Sequence, residues 1–165
     1  MFKKLGVIAA AGIFALSLSA CGKQEAAKAP EAPKQPESNL ALPQKGQEAT
    51  VNLPPEVKGK WKAIKVSVED KKNKTKKEVT VNIGQDADVP GTKLNIKAVE
   101  FVPSFVMQGL NITSASNEPN NPAAKVVISE GGKEIFKGWL FQKFPTTHAF
   151  SHPDYAVTLS GAVQS

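Results

Sequence analysis

The chain has 165 residues, with 21 basic against 15 acidic side chains and a formal net charge of +6, and apart from two histidines its basic residues are all lysine. Without arginine the bidentate contacts that read bases and clasp phosphates are missing, so the positive balance does not argue for nucleic-acid binding. A single cysteine closes no internal disulfide, which leaves stability to an apolar core.

The first twenty residues read as a leader: Lys3 and Lys4, an apolar run from Leu5 to Leu18, then Ser19 and Ala20 before the lone Cys21. About 14 apolar or small residues fall short of the roughly 20 that a membrane span needs, so residues 1–20 are expected to be a cleaved secretory signal. Leu18-Ser19-Ala20-Cys21 resembles the lipobox of bacterial lipoproteins. That resemblance implies acylation of Cys21, which becomes the new N-terminus, and Gly22 after it points to the outer membrane of a two-membrane cell, facing the periplasm. Each buried acyl methylene contributes about 0.8 kcal/mol, so two or three chains would hold the protein on a membrane almost permanently. Loss of Lys3 and Lys4 lowers the net charge from +6 to +4.

From Cys21 to Lys58 the composition turns to Ala, Pro, Glu, Lys and Gln, as in Ala29-Pro30-Glu31-Ala32-Pro33-Lys34. Such a stretch has too little apolar surface to offset the entropy of ordering it, and it is expected to be a disordered tether spanning roughly 35 Å end to end. Leu40, Leu42 and Leu53 could instead dock on a partner; a plain spacer is the favoured reading.

Residues 59–165 suit one small domain. Ile64, Val66 and Val68 alternate with polar residues, as do Val79, Val81 and Ile83, and the polar run Asp70–Lys77 between them predicts an antiparallel hairpin. Leu94, Ile96 and Ala98 continue the alternation after Pro90-Gly91. Val126 and Ile128, then Ile135 and Phe136, flank Gly131-Gly132 as a second hairpin, and Tyr155, Val157 and Leu159 share a face of a last strand. The stretch Pro103–Pro122 reads as the longest irregular segment, with Phe105, Val106, Met107 and Leu110 either lining a groove or, the favoured reading, plugging one end. No helix of ten residues is expected outside the leader. The fold class is therefore all-β, a small antiparallel β-sandwich or barrel of about five to seven strands.

Lys71, Lys72, Lys74, Lys76 and Lys77 are the densest charge in the chain. They would suit anionic headgroups or polysaccharide phosphates, but a solvated hairpin tip kept polar against edge pairing accounts for them more simply.

Most of the scarce aromatic residues fall between Phe136 and Tyr155. Phe136-Lys137-Gly138-Trp139-Leu140-Phe141, then Pro145, then His152-Pro153-Asp154-Tyr155 is similar to the pattern of a bacterial envelope family known only as a domain of unknown function. The likeness covers about residues 79–162, since Ile83-Gly84 and Leu94-Asn95-Ile96 also fit. It implies fold and envelope location but no activity. Members often carry one cysteine after the middle strand and another at the C-terminus; the positions that look equivalent, near Phe101 and Ala162, are apolar here, which removes a staple.

The candidate binding residues are Trp139, Phe141, His148, His152 and Tyr155. His148 and His152 have the i, i+4 spacing of metal ligands on a helix, but Pro145 and Pro153 break the region, and only Asp154 adds a carboxylate; a structural histidine is favoured over a zinc or copper site, and no cofactor is expected. Ser151, His152 and Asp154 lie too close in sequence to converge as a triad, and Gly131-Gly132 reads as a turn rather than a phosphate loop. The sequence thus predicts a non-enzymatic binding or accessory protein, docking onto another envelope protein or onto wall or glycolipid polymer, and not onto nucleic acid. The alternative is a metal or redox accessory factor using His148 and His152.

Overall fold

The computed structural model describes residues 48–165. The leader 1–20, Cys21 and the expected tether as far as residue 47 lie outside the described residues.

Ten strands follow in chain order: β1 (Thr50–Val51), β2 (Trp61–Asp70), β3 (Thr75–Asn82), β4 (Asp86–Asp88), β5 (Leu94–Val102), β6 (Phe105–Gln108), β7 (Asn111–Ser114), β8 (Ala123–Glu130), β9 (Lys133–Phe141) and β10 (Tyr155–Gln164). No helix occurs among the described residues. The all-β expectation holds, with more strands than the five to seven expected, because β1, β4, β6 and β7 have only two to four residues each and show too little alternation to be read.

The long strands pair as the alternation predicts. β2 and β3 form the first hairpin, in register from Ala63 opposite Asn82 to Asp70 opposite Thr75. Its turn is fastened by Asp70, whose Oδ1 accepts the N–H groups of Lys72 and Asn73 at 2.9 Å each. β8 and β9 form the hairpin around Gly131-Gly132. β10 continues past Leu159 to Gln164, with a register shift between Leu159 and Gly161.

Two sheets, in the orders β10-β2-β3 and β4-β5-β8-β9, enclose the main core. Ile64 and Val66 from one sheet meet Ile96, Val126 and Ile128 from the other, all fully buried. Burying each such side chain contributes about 1.5–3 kcal/mol.

The stretch Pro103–Pro122 is more ordered than expected. It carries the β6–β7 hairpin, turned at Gly109 (φ 59°), and with β1 this makes a third sheet in the order β1-β7-β6. Phe105 and Ile112 are buried there with Val102, Ala123 and Phe141 in a second core, and Met107 packs against it. Phe105 is used in this second core rather than in the main one, and Leu110 projects into solvent, 42% exposed.

The domain also begins before the expected boundary at residue 59. β1 lies parallel to β7, Leu53 packs on the second core, and Val57 is buried. The alternation of Ala49, Val51 and Leu53 is too short to signal a strand, and its partner is about sixty residues away.

Candidate functional site

The crossing from β9 to β10 carries the aromatic signature, and period two sorts its residues onto two faces. Phe136, Gly138 and Leu140 face the main core; Trp139 and Phe141 face the second. The Phe136 ring folds over Gly138, where a β-carbon would stand 2.8 Å from the ring's Cζ, so this strand position admits only glycine beside that rotamer.

From Phe136 a ladder of rings runs towards β10. Phe150, buried in the main core, meets Phe136 edge-on at 5.7 Å between centroids. His152 stacks on Phe150 at 5.7 Å, with the ring planes 8° apart, and Tyr155 stacks on His152 at 5.2 Å. Both ring nitrogens of His152 are engaged. Nδ1 accepts the backbone N–H groups of Asp154 and Tyr155 at 3.1 and 3.3 Å. An acceptor Nδ1 places the neutral ring's proton on Nε2, which donates to Glu130 Oε2 at 3.4 Å. The same turn is tied to the first hairpin, since Lys71 Nζ donates to the His152 carbonyl at 2.6 Å and the Lys71 N–H donates to the Asp154 carbonyl at 2.8 Å. His152 is thus a clasp joining β8, the hairpin tip and the entry to β10, with a side chain only 10% exposed.

His148 stands apart from this clasp. It is exposed, in a left-handed backbone conformation (φ 50°). The described residues hold no group of three or more His, Cys, Asp or Glu side chains arranged to hold a metal ion.

Trp139 and Phe141 do not join the histidine clasp either. Phe141 is buried and meets Phe105 edge-on at 5.1 Å; Trp139, half-buried, meets Phe105 at 5.2 Å and packs against the same second core as residues of the β1 segment. Trp139 thus spends part of its surface on packing and keeps part exposed, and of this region's aromatics Phe144 is the one left largely exposed, at 54%. The apolar positions near which the resemblance expects cysteines are also used in the interior. Phe101 is buried against Trp61 at 4.9 Å, and both Phe101 and Ala162 contribute to the main core.

Near Tyr155 a recess of about 30 Å³, lined by Asp70, Lys77, Gly91 and Thr92 among others, has room only for water. Three of the five clustered lysines are tied to the fold: Lys71 as above, Lys77 to the Pro90 carbonyl at 2.7 Å, and Lys76 to Glu69 at 3.2 Å. Among the long strands, β3, β9 and β10 each leave one edge without a neighbouring strand, and that of β9 carries the signature. β9 pairs with β8 on one side only, and Lys133, Glu134, Ile135 and Lys137 along it are exposed. Lys137 there meets Glu48 at 3.2 Å, a contact that, with Lys125 nearby, holds the Glu48 carboxyl below its usual range.

Sequence reasoning missed Glu130, Lys71 and the Phe136–Gly138 contact. The last had a signal, a large ring and a glycine two apart on one strand face; the first two are joined to His152 only by tertiary pairing.

The family described as an uncharacterized protein conserved in bacteria (DUF2155) matches residues 63–161, more than half of the chain. The match starts sixteen residues before the expected Val79 and so takes in β2, while β1 falls outside it. Comparisons with curated proteins and with solved structures find no match.

Proposed function

The chain belongs to the family of uncharacterized bacterial proteins DUF2155, and from that premise we propose that it is a non-enzymatic binding protein of the bacterial envelope. In this reading Cys21 carries the lipid, the tether lets the β-domain range through the periplasm from the outer membrane, and the domain docks on another envelope protein through the open edge of β9. The observation that carries it is how the signature residues are spent. His152 has both ring nitrogens engaged, Phe141 is interior, and Trp139 packs partly against the second core, which leaves an open strand edge within the signature, that of β9, as the feature suited to a partner. An exposed edge offers a row of backbone donors and acceptors to an incoming strand, and charged neighbours such as Lys133, Glu134 and Lys137 keep it from pairing indiscriminately.

Two measurements test this. In cells, Cys21→Ser should move the protein from the membrane to the soluble fraction; retention on the membrane overturns the anchor. A photo-reactive side chain at Ile135 should cross-link to a discrete envelope protein, and Lys137→Glu beside it should reduce that yield. Cross-linking to wall or glycolipid polymer, or from the Lys72 and Lys74 tip instead of Ile135, overturns the edge reading. Stoichiometric zinc or copper binding lost in His148→Ala and His152→Ala would favour the metal alternative.

A further inference from the structure

The β1 segment sits on the domain as an added piece. Its strand is two residues long, and it attaches to the edge of β7 by Thr50 N–H to the Leu110 carbonyl and Asn52 N–H to the Ile112 carbonyl, 2.8 Å each. Thr113 Oγ1 adds a bond to the Asn52 carbonyl at 2.7 Å. Ala49, Val51 and Leu53 point their small apolar side chains onto the second core, yet all three stay only partly buried. The matched family region begins at Ala63, so β7 and its slot belong to the matched domain, whereas the strand filling the slot does not. Between the β1 strand and the rest of the domain runs a short connecting hinge, Pro54-Pro55-Glu56, whose Pro54 carbonyl accepts the N–H groups of the buried Val57 and of Lys58 at 3.0 and 3.1 Å.

We propose that the edge of β7 is a strand-acceptor slot which residues Glu48–Leu53 of a second copy of this chain can occupy in place of the chain's own, giving a strand-swapped dimer. The incoming strand makes the same hydrogen bonds and apolar contacts in either arrangement, so complementarity is guaranteed by the seated strand. The balance rests on the hinge and on concentration. Two consecutive prolines restrict how that hinge can turn back, which lowers the advantage of the closed form. The inference does not rest on the lipid anchor; the swapped segment does reach β9 through Glu48, which pairs with Lys137 at 3.2 Å.

The test uses the full chain with Cys21→Ser, carrying either Thr50→Cys or Asn111→Cys, two exposed positions that face each other in the parallel register. When the two variants are mixed and oxidised, a disulfide-linked heterodimer should accumulate in greater yield as concentration rises, above a control mixture of Thr50→Cys with Lys74→Cys at the far hairpin tip. Adding Val51→Asp to the Thr50→Cys copy should abolish the product, because that strand can no longer seat. Adding Val51→Asp to the Asn111→Cys copy should increase it, because that slot is vacated. A yield equal to the control, or the same response to Val51→Asp in either copy, overturns the proposal. Replacing Pro54 and Pro55 by glycine should lower the yield; an unchanged yield counts against the role of the hinge.

Discussion

The ring of Phe136 lies across the backbone of Gly138, two residues along the same strand face, so closely that a β-carbon at position 138 would stand 2.8 Å from Cζ. That contact turns the Phe-x-Gly part of the signature into a packing unit, with Phe150 meeting the Phe136 ring edge-on.

Gly138→Ala must displace a ring packed against the main core. It should cost about 1–3 kcal/mol, the usual penalty of overpacking, measured by urea denaturation. In a Phe136→Ala background the same change should cost little. An equal cost in both backgrounds would place the strain elsewhere.

Removing the clasp should loosen the β9–β10 crossing more than the sheets. His152→Ala leaves the Asp154 and Tyr155 N–H groups without their ring acceptor and breaks the stack between Phe150 and Tyr155. A loss of about 2 kcal/mol is expected, since stranded donors cost about 1–3 kcal/mol each when buried and these are partly exposed. Hydrogen exchange should show faster opening of residues 142–155 while β2 and β8 stay protected.

The aromatic residues of the signature should separate by burial. Phe141→Ala opens a cavity beside Phe105 and is expected to cost about 3–5 kcal/mol, whereas Phe144→Ser at an exposed position should fall within about 0.5 kcal/mol of the parent. Thermal unfolding of the two variants decides it; similar losses would contradict the second core.

Acid–base behaviour should divide the carboxylates. Glu100 has a raised pKa because burial disfavours its charge. The folded state therefore holds its proton more tightly than the unfolded chain, and this group's contribution weakens as pH rises from the ordinary glutamate range towards neutrality. Glu100→Gln should raise the melting temperature at pH 7 and lose that advantage near pH 4. Asp70 behaves oppositely. The hydrogen bonds from Asn73 and Lys72 lower its pKa, so its contribution is present at neutral pH and fades as acid protonates the turn carboxylate. Asp70→Asn should therefore flatten the acid limb of the stability profile.

The legible part of the fold is the part written in local periodicity. Ile64, Val66 and Val68 against Val79, Val81 and Ile83 show a hairpin because period two forces them onto one face, and the Asp70–Thr75 turn between them is polar. The β6–β7 hairpin escaped because Phe105-Val106-Met107 is a continuous apolar run of a length that suits a strand or a plug equally. β1 escaped because two residues carry no period.

The candidate site was legible as a list of residues and not as a grouping. Adjacent positions on β9 already send Gly138 and Trp139 to opposite faces, so their separation follows from the strand. What waits on each face does not, because it comes from other segments of the chain: Phe150 and His152 beyond Phe136, and Phe105 against Trp139.

Composition and alternation by themselves determined an all-β domain without a disulfide, hydrophobic enough on one face of each long strand to close a core. Tertiary structure alone decided that His152 would be a clasp to Glu130 and Lys71, that Trp139 would pack against Phe105, and that β9 would keep an open edge. The reason is physical: a strand's own residues dictate which way its side chains point, but the partners that meet them are chosen by how the sheets close around one another.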